Sequence, residues 1–381
     1  MFWVNVPVGI YGTLWAYLKL RDNGRRNPGR IDWWGNLTFA VGLGAVLVGV
    51  TEGIQPYRGR SMGWTNPLVI GLLAGGVLLL AAFAVIERRS AEPMLQVRLF
   101  RIRAFTAGNV AGFLVRLAQG GLQFMLVIWL QGMWLPLHGY RYSQTPLWAG
   151  IFLLPLTAGF LAAGPISGTL SDRFGARGFA SAGTAVFGFT FIGLLLLPIN
   201  FPYWAFALLV AGNGVGVGMF SAPNTAAIMS SVPANQRGVA SGVRSTFQNS
   251  GTALSIGAFF SLMIAGLAAR LPQTMTHGLQ AHGVSHTAAA HIGSLPPVSS
   301  LFATVLGVNP IQHLLAANGA LSSLSDQARH TLTGRIFFPN LIAAPFHHGL
   351  VIVFAAGAAL AFVAGLASLL RGGKPVEFDR K

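Results

Sequence analysis

The chain lacks cysteine and has very little charge: its 381 residues include no Cys, 25 Lys and Arg, and 9 Asp and Glu. Without thiols there is no disulfide framework, no thiolate metal site and no cysteine nucleophile. Charged residues make up 9% of the sequence against 53% hydrophobic residues, and no water-soluble fold could cover that much apolar surface with so few charges. The solvent this composition calls for is lipid. A phosphate-cradling G-x-x-x-x-G-K-[ST] loop is also missing, and no nucleophile, base and orienting group come together. Neither ATP-driven transport nor membrane enzymology therefore has residues to support it, and no cofactor is implied. The formal charge of +16 would suggest nucleic acid in a soluble protein. Here the basic residues cluster at the ends of apolar segments, so they read as membrane topology and no nucleic-acid partner is expected.

A membrane span needs about 20 apolar residues. Nine such segments can be read, at 1 to 18, 33 to 53, 67 to 87, 104 to 131, 147 to 170, 179 to 198, 203 to 222, 238 to 268 and 346 to 371. If the first loop is cytoplasmic, 18 of the 25 basic residues fall on the cytoplasmic side, in segments beginning at Lys19, Arg88, Arg173, Arg237 and Arg371. This excess of positive charge predicts a multi-pass protein of the plasma (inner) membrane with its C-terminus in the cytoplasm. Nine spans then put the amino terminus outside. The first span begins at Met1 with no polar flank and no signal-peptide n-region, so "MFWVNVPVGI" reads as the interior of a longer protein.

Between two of these spans lies "GTLSDRFGAR", Gly168 to Arg177, where Gly168 and Gly175 let the backbone bend around Asp172 and Arg173. The pattern G-x-x-x-D-R-x-G-x-R resembles the signature loop of the major facilitator superfamily. Four further segments strengthen the resemblance and extend it over nearly the whole chain: "FWVNVPVGI", "IDWWGNLTFAVGLGAVLVGVTEG", "EPMLQVRLFRIRAFTAGN" and "NQRGVASGVRSTFQNSGTALSIG". In this order they resemble the 14-helix drug:proton antiporters, the EmrB/QacA-like transporters. The resemblance implies an all-α polytopic fold. Residues 1–18 would be the last helix of the amino-terminal bundle, and 19–103 a cytoplasmic linker with two extra transmembrane helices. Residues 104–371 would form the carboxy-terminal six-helix bundle with an extracytoplasmic loop at 271–345, and 372–381 a cytoplasmic tail. The family's first five helices, with their proton-coupling carboxylates, have no counterpart here. Two smaller departures are a widened loop from Leu135 to Pro146 and the long segment from Leu271 to Phe346.

Arg116 is the sharpest feature inside a span. At 1.5 Å per residue it lies about 18 Å along the fourth segment, too deep to reach either interface easily. Asn109, Gly112, Arg116, Gln119, Gly120 and Gln123 recur at helical spacing as one polar and small-residue stripe. By the resemblance this helix lines the central cavity, so Asn109, Arg116, Gln119 and Gln123 would face substrate, with Asn213 on another cavity-bordering helix. The alternative is that Arg116 only pairs with carbonyls or glutamines between helices. None of the nine carboxylates falls mid-span, so its counter-charge is expected in the missing half or on an anionic substrate.

Gly168, Asp172, Arg173, Gly175 and Arg177 read either as a gating latch, in which Asp172 meets the positive end of a helix in the opposite half, or as a soluble turn. Arg244 and Gln248, at i and i+4, could brace an inner gate or only cap and snorkel. Glu52 reads as a structural anchor or a titrating group, and its place at the outer end of a linker helix favours the anchor. Glycines at 212, 214, 216 and 218, at 164 and 168, and at 238 and 242 predict close helix packing. His277, His282, His286 and His291 invite a metal, but their spacing fits no compact site and no carboxylate accompanies them. The segment after Leu271 should carry short amphipathic helices such as Pro310 to Ala317, resting on the membrane surface or meeting a partner.

The expected function is transport, with proton-coupled efflux of a small amphipathic drug as the leading reading. Two alternatives stay open: a transport-inactive remnant or interaction protein that needs another membrane chain, and a transporter of an anionic metabolite.

Overall fold

The computed structural model describes residues 5–19, 32–60, 62–89, 97–317, 321, 324–334 and 336–371. Most of the first basic loop and the tail 372–381 lie outside these residues. Among the described residues the fold is all-α, with no strand and one isolated bridge, between Tyr57 and Arg60. Eight helices among the described residues are long and apolar enough to cross a membrane. The helix α1 (Asn5–Lys19) precedes them and is apolar and almost wholly exposed.

Helices α2 (Trp33–Gly53) and α3 (Pro67–Arg89) form a hairpin. Asp32 starts α2, its Oδ1 accepting the Gly35 N–H at 2.8 Å, which satisfies one of the donors that a helix start leaves open. Gly42 and Gly76 let the two backbones meet: a Cβ on Gly76 would lie 2.8 Å from the Gly42 carbonyl. The hairpin leans on the main bundle where Val50 meets Gly257.

The main bundle contains α4 (Arg103–Trp129), α7 (Leu154–Phe174), α8 (Ala176–Leu196), α9 (Tyr203–Ser230), α10 (Arg237–Gln280) and α15 (Phe337–Leu369). Its two tightest associations are α7 with α8 around α9, and α4 with α10 and α15. The reason for the first is written in α9. Residues four apart share a helix face and residues two apart do not. Gly214 and Gly218 accordingly meet the Leu156 and Phe160 carbonyls of α7, while Gly216 meets Gly183 and Phe187 of α8 and Gly212 meets Thr190. The helix is thinned on both sides and clasped between two neighbours. The other glycine pairs differ from expectation. A Cβ on Gly164, Gly238 or Gly242 would meet nothing within 4 Å, although the Gly164 backbone nitrogen would lie 3.1 Å from a Cβ on Gly218, and a Cβ on Gly168 would meet only the Ala222 Cβ, at 3.7 Å.

The helices exceed the expected spans where their apolar faces continue beyond the bilayer. From Trp129, α4 passes through a π-helical turn, Leu130–Trp134, into α5 (Leu135–Leu137), so the widened loop begins as buried helix. Trp134 is pinned there by its Nε1–H donating to the Phe201 carbonyl at 3.0 Å and by stacking on the Phe201 ring. The chain returns through α6 (Thr145–Phe152). Helix α10 has 44 residues, about 66 Å, twice the hydrocarbon thickness of a bilayer. Its last turns bury Leu271, Met275 and Leu279, spaced four apart on one face, where a loop was expected. The rest of that region is α11 (His286–Gly293), α12 (Pro297–Leu306), α13 (Pro310–Ala317) and α14 (Asp326–Thr333), packed as a cap, with α11 and α12 bent 85° apart. The helix read at Pro310 to Ala317 is present with those bounds.

Candidate functional site

Helix α4 carries its polar stripe into contact with α9 and α10. Arg116 donates from Nη1 to the Gln119 Oε1 at 2.9 Å, a bond between residues three apart on the same face. Gly251 of α10 clears room beside it, since a Cβ there would lie 3.3 Å from the Arg116 Cβ. One and two turns before Gly251 come Gln248 and Arg244, and Arg244 stands close enough to Arg116 for the two guanidiniums to repel. The Nε of Arg244 is buried with no hydrogen-bond partner. A point one bond out from Gly112 is 3.8 Å from the Gln248 Nε2 and 3.5 Å from the Asn224 Nδ2. Arg116, Gln119, Arg244, Gln248 and Asn224 are thus drawn together around the bare backbone of Gly112.

Asn224 was not singled out in the sequence, although a polar amide beside Pro223 in an apolar run is the kind of signal that marks interhelical hydrogen bonding. It donates to the Gly108 carbonyl at 3.2 Å, tying α9 to α4, and its Oδ1 is buried and unpaired. Asn109 is buried and bonds back to the Phe105 carbonyl at 2.9 Å. Gln123 is on the same helix but exposed. Asn213 is not brought to this group. It is fully buried and donates to the Thr190 Oγ1 at 3.0 Å, bridging α9 to α8.

The electrostatics of the group are one-sided. Besides Asp172, no carboxylate occurs in the sequence from Arg103 to Ser325, so the helices that carry Arg116 and Arg244 hold no acidic side chain. A wall of this kind attracts an anion, or a carboxylate carried on another segment.

At the end of the bundle where α7 meets α8, the turn is made by one residue. Gly175 has φ +92°, a left-handed conformation that favours glycine, and its N–H closes on the Ser171 carbonyl at 2.9 Å. Asp172, Arg173 and Arg177 are exposed around it, and among the described residues Asp172 makes no ion pair. Gly168 lies one turn earlier, beside Ala222. Glu52 is exposed at the α2–α3 turn. In the cap the His282 ring turns back to the Gly278 carbonyl at 2.9 Å, and among the described residues no three His, Asp or Glu side chains gather as metal ligands.

The sequence matches the profile of the Major Facilitator Superfamily over residues 1–256. It is 29% identical over 310 residues to the multidrug resistance protein Stp of Mycobacterium tuberculosis, an alignment covering 78% of this chain and 54% of that protein. It is 29% identical over 258 residues to the methylenomycin A resistance protein of Streptomyces coelicolor, covering 68% and 51% respectively. A third relative, the tetracenomycin C resistance and export protein of Streptomyces glaucescens, is 26% identical over 307 residues, covering 79% and 54%. The chain spans about half the length of these relatives. Eight apolar helices of spanning length, the glycine turn between α7 and α8 and the family match agree: the chain is a multi-pass membrane protein of the Major Facilitator Superfamily of transporters.

Proposed function

We propose that this chain supplies the linker helix pair and carboxy-terminal bundle of a 14-helix exporter that moves amphipathic drugs out of the cell in exchange for protons. The observation that carries the reading is the group around Gly112. It sets two cations and three amides on α4, α9 and α10, the two cations on helices that carry no carboxylate. A polar patch of this size in lipid-soluble surroundings is costly unless water, substrate or another charged segment meets it. The names of the relatives, which speak of drug resistance and export, support the substrate class. Proton coupling rests on the resemblance alone and would use carboxylates outside this chain. In the proposed orientation Gly175 and the end of α15 face the cytoplasm.

The test is drug export from cells producing the transporter together with its amino-terminal helices. Arg116→Gln and Arg244→Gln should each reduce export at least about tenfold, equivalent to about 1.4 kcal/mol of lost stabilisation, and dissipating the pH gradient should abolish it. Asn213→Ala, which touches only the α8–α9 seam, should leave the ratio among substrates unchanged. Undiminished export by Arg116→Gln would remove this group from the substrate path. A second reading, a transporter of an anionic metabolite, draws on the same unpaired guanidiniums. It predicts that Arg116→Gln harms acidic substrates and spares cationic ones.

A further inference from the structure

The end of α15 holds a buried charge that the transport reading does not use. Arg371 follows the last turn of α15, is 6% exposed, and its Nε, Nη1 and Nη2 all lack a hydrogen-bond partner. Arginine stays protonated in proteins, so the guanidinium keeps its charge and all five donors. An ion in that state is unfavourable unless an anion completes the site.

The helix register shows what surrounds it. Helices α8 and α15 run antiparallel, and the close contacts of Gly357 with Phe191, Phe362 with Gly188 and Gly365 with Thr184 fix their alignment. Continuing it one turn sets Ser368 beside Ser181, and Arg371 follows three residues later, just past the end of α15, at the end of the pair where α8 begins with Ala176 and Arg177. The Oγ atoms of Ser181 and Ser368 are themselves buried and unpaired. Three unsatisfied polar side chains, Ser181, Ser368 and Arg371, therefore lie at the same end of the α8–α15 seam, as does the exposed Arg177. On the bilayer side, Val363, Leu366, Leu369 and Leu370 of α15 and Phe189 of α8 are exposed apolar residues.

We propose that this seam is a binding site for the phosphate of an anionic phospholipid. Arg371 would grip the phosphodiester oxygens through its planar fork, Ser181 and Ser368 would donate hydroxyls, and Arg177 would draw the net negative headgroup. The position favours a lipid over free phosphate. The seam lies where a spanning pair ends, which is headgroup level, and the exposed apolar residues give the acyl chains a surface to lie along.

The experiment uses the purified full chain in detergent, stripped of lipid, with thermal unfolding followed as dioctanoyl phosphatidylglycerol, dioctanoyl phosphatidylcholine or inorganic phosphate is added. Phosphatidylglycerol should raise the midpoint in a saturable way. Phosphatidylcholine and inorganic phosphate should do so at least about tenfold more weakly. Arg371→Gln should abolish the response. Arg371→Lys, which keeps the charge and loses the fork, should weaken it, and so should Ser181→Ala with Ser368→Ala. These two variants carry the test if Arg371→Gln does not fold. An equal response in every variant would overturn the proposal. So would inorganic phosphate matching the lipid, which would mark a free-anion site. A response absent from the natural chain and gained by Glu377→Gln with Asp379→Asn would also overturn it, by showing that the chain's own tail fills the seam.

Discussion

A guanidinium set about 20 Å along a spanning helix has to be held from within the protein. Among the described residues Arg116 is held by Gln119 on its own helix and by no side chain of another. The arrangement separates two costs. Deleting one partner of a buried polar pair leaves the other unsatisfied, whereas replacing both with apolar groups is close to neutral. Gln119→Leu alone should therefore lower the stability of the purified chain by about 1 kcal/mol, and adding Arg116→Met should restore most of it. Thermal unfolding of the two variants checks this. A double variant no better than the single one would mean that Arg116 is held by something other than Gln119. That Arg116 and Gln119 share a face was legible in the sequence from their place on one helical stripe, whereas the bond between them within α4 was not, because the expected partners lay between helices or beyond the chain. Asn224 was not, because its role depends on α9 lying across Gly108, a contact between residues 116 positions apart. Asn213 has the same chemistry on the same helix and went to a different neighbour: three turns away on nearly the same face of α9, it meets Thr190 of α8 where Asn224 meets Gly108 of α4.

At the scale of elements, the glycine spacing in α9 decides which neighbours it can have. Gly214→Ala would drive a methyl into the Leu156 carbonyl, and two packed backbones cannot yield as a flexible side chain could. The loss expected for such overpacking is about 1–3 kcal/mol. Gly242, exposed on α10 with nothing within 4 Å of its would-be methyl, is the control. Alanine there should stabilise by up to about 1 kcal/mol through helix propensity. Detergent unfolding of both variants should move in opposite directions, and a shared direction would refute the assignment of glycines to faces. Sequence spacing alone did not separate these cases, because small residues four apart look alike whether or not a helix lies against them. The same limit explains why α10 ran past its expected end. Hydropathy registers the stretch that lipid surrounds, while Leu271, Met275 and Leu279 are buried by the cap, at a periodicity diluted by Gln273, Thr274 and His277 between them.

For the whole molecule the open quantity is direction: which end of the bundle meets the cytoplasm. The arginines answer it in one way, since Arg98, Arg101, Arg103, Arg173, Arg177, Arg237 and Arg371 gather at the Gly175 end, while the opposite end carries the cap of α11 to α14. The absence of cysteine makes this directly measurable, because any introduced thiol is the chain's only one. Asn235 is exposed between α9 and α10 at the Gly175 end, and Thr287 is exposed in α11 on the cap. In intact cells a membrane-impermeant maleimide should label Thr287→Cys within minutes and leave Asn235→Cys unlabelled until the membrane is permeabilised. The reverse pattern would invert the molecule. It would put the phospholipid seam at Arg371 in the outer leaflet and the cap in the cytoplasm, and the cationic group near Gly112 would then lie nearer the outer surface. Labelling of both sites in intact cells would mean a mixed orientation, which an 18-of-25 bias of basic residues toward one side argues against.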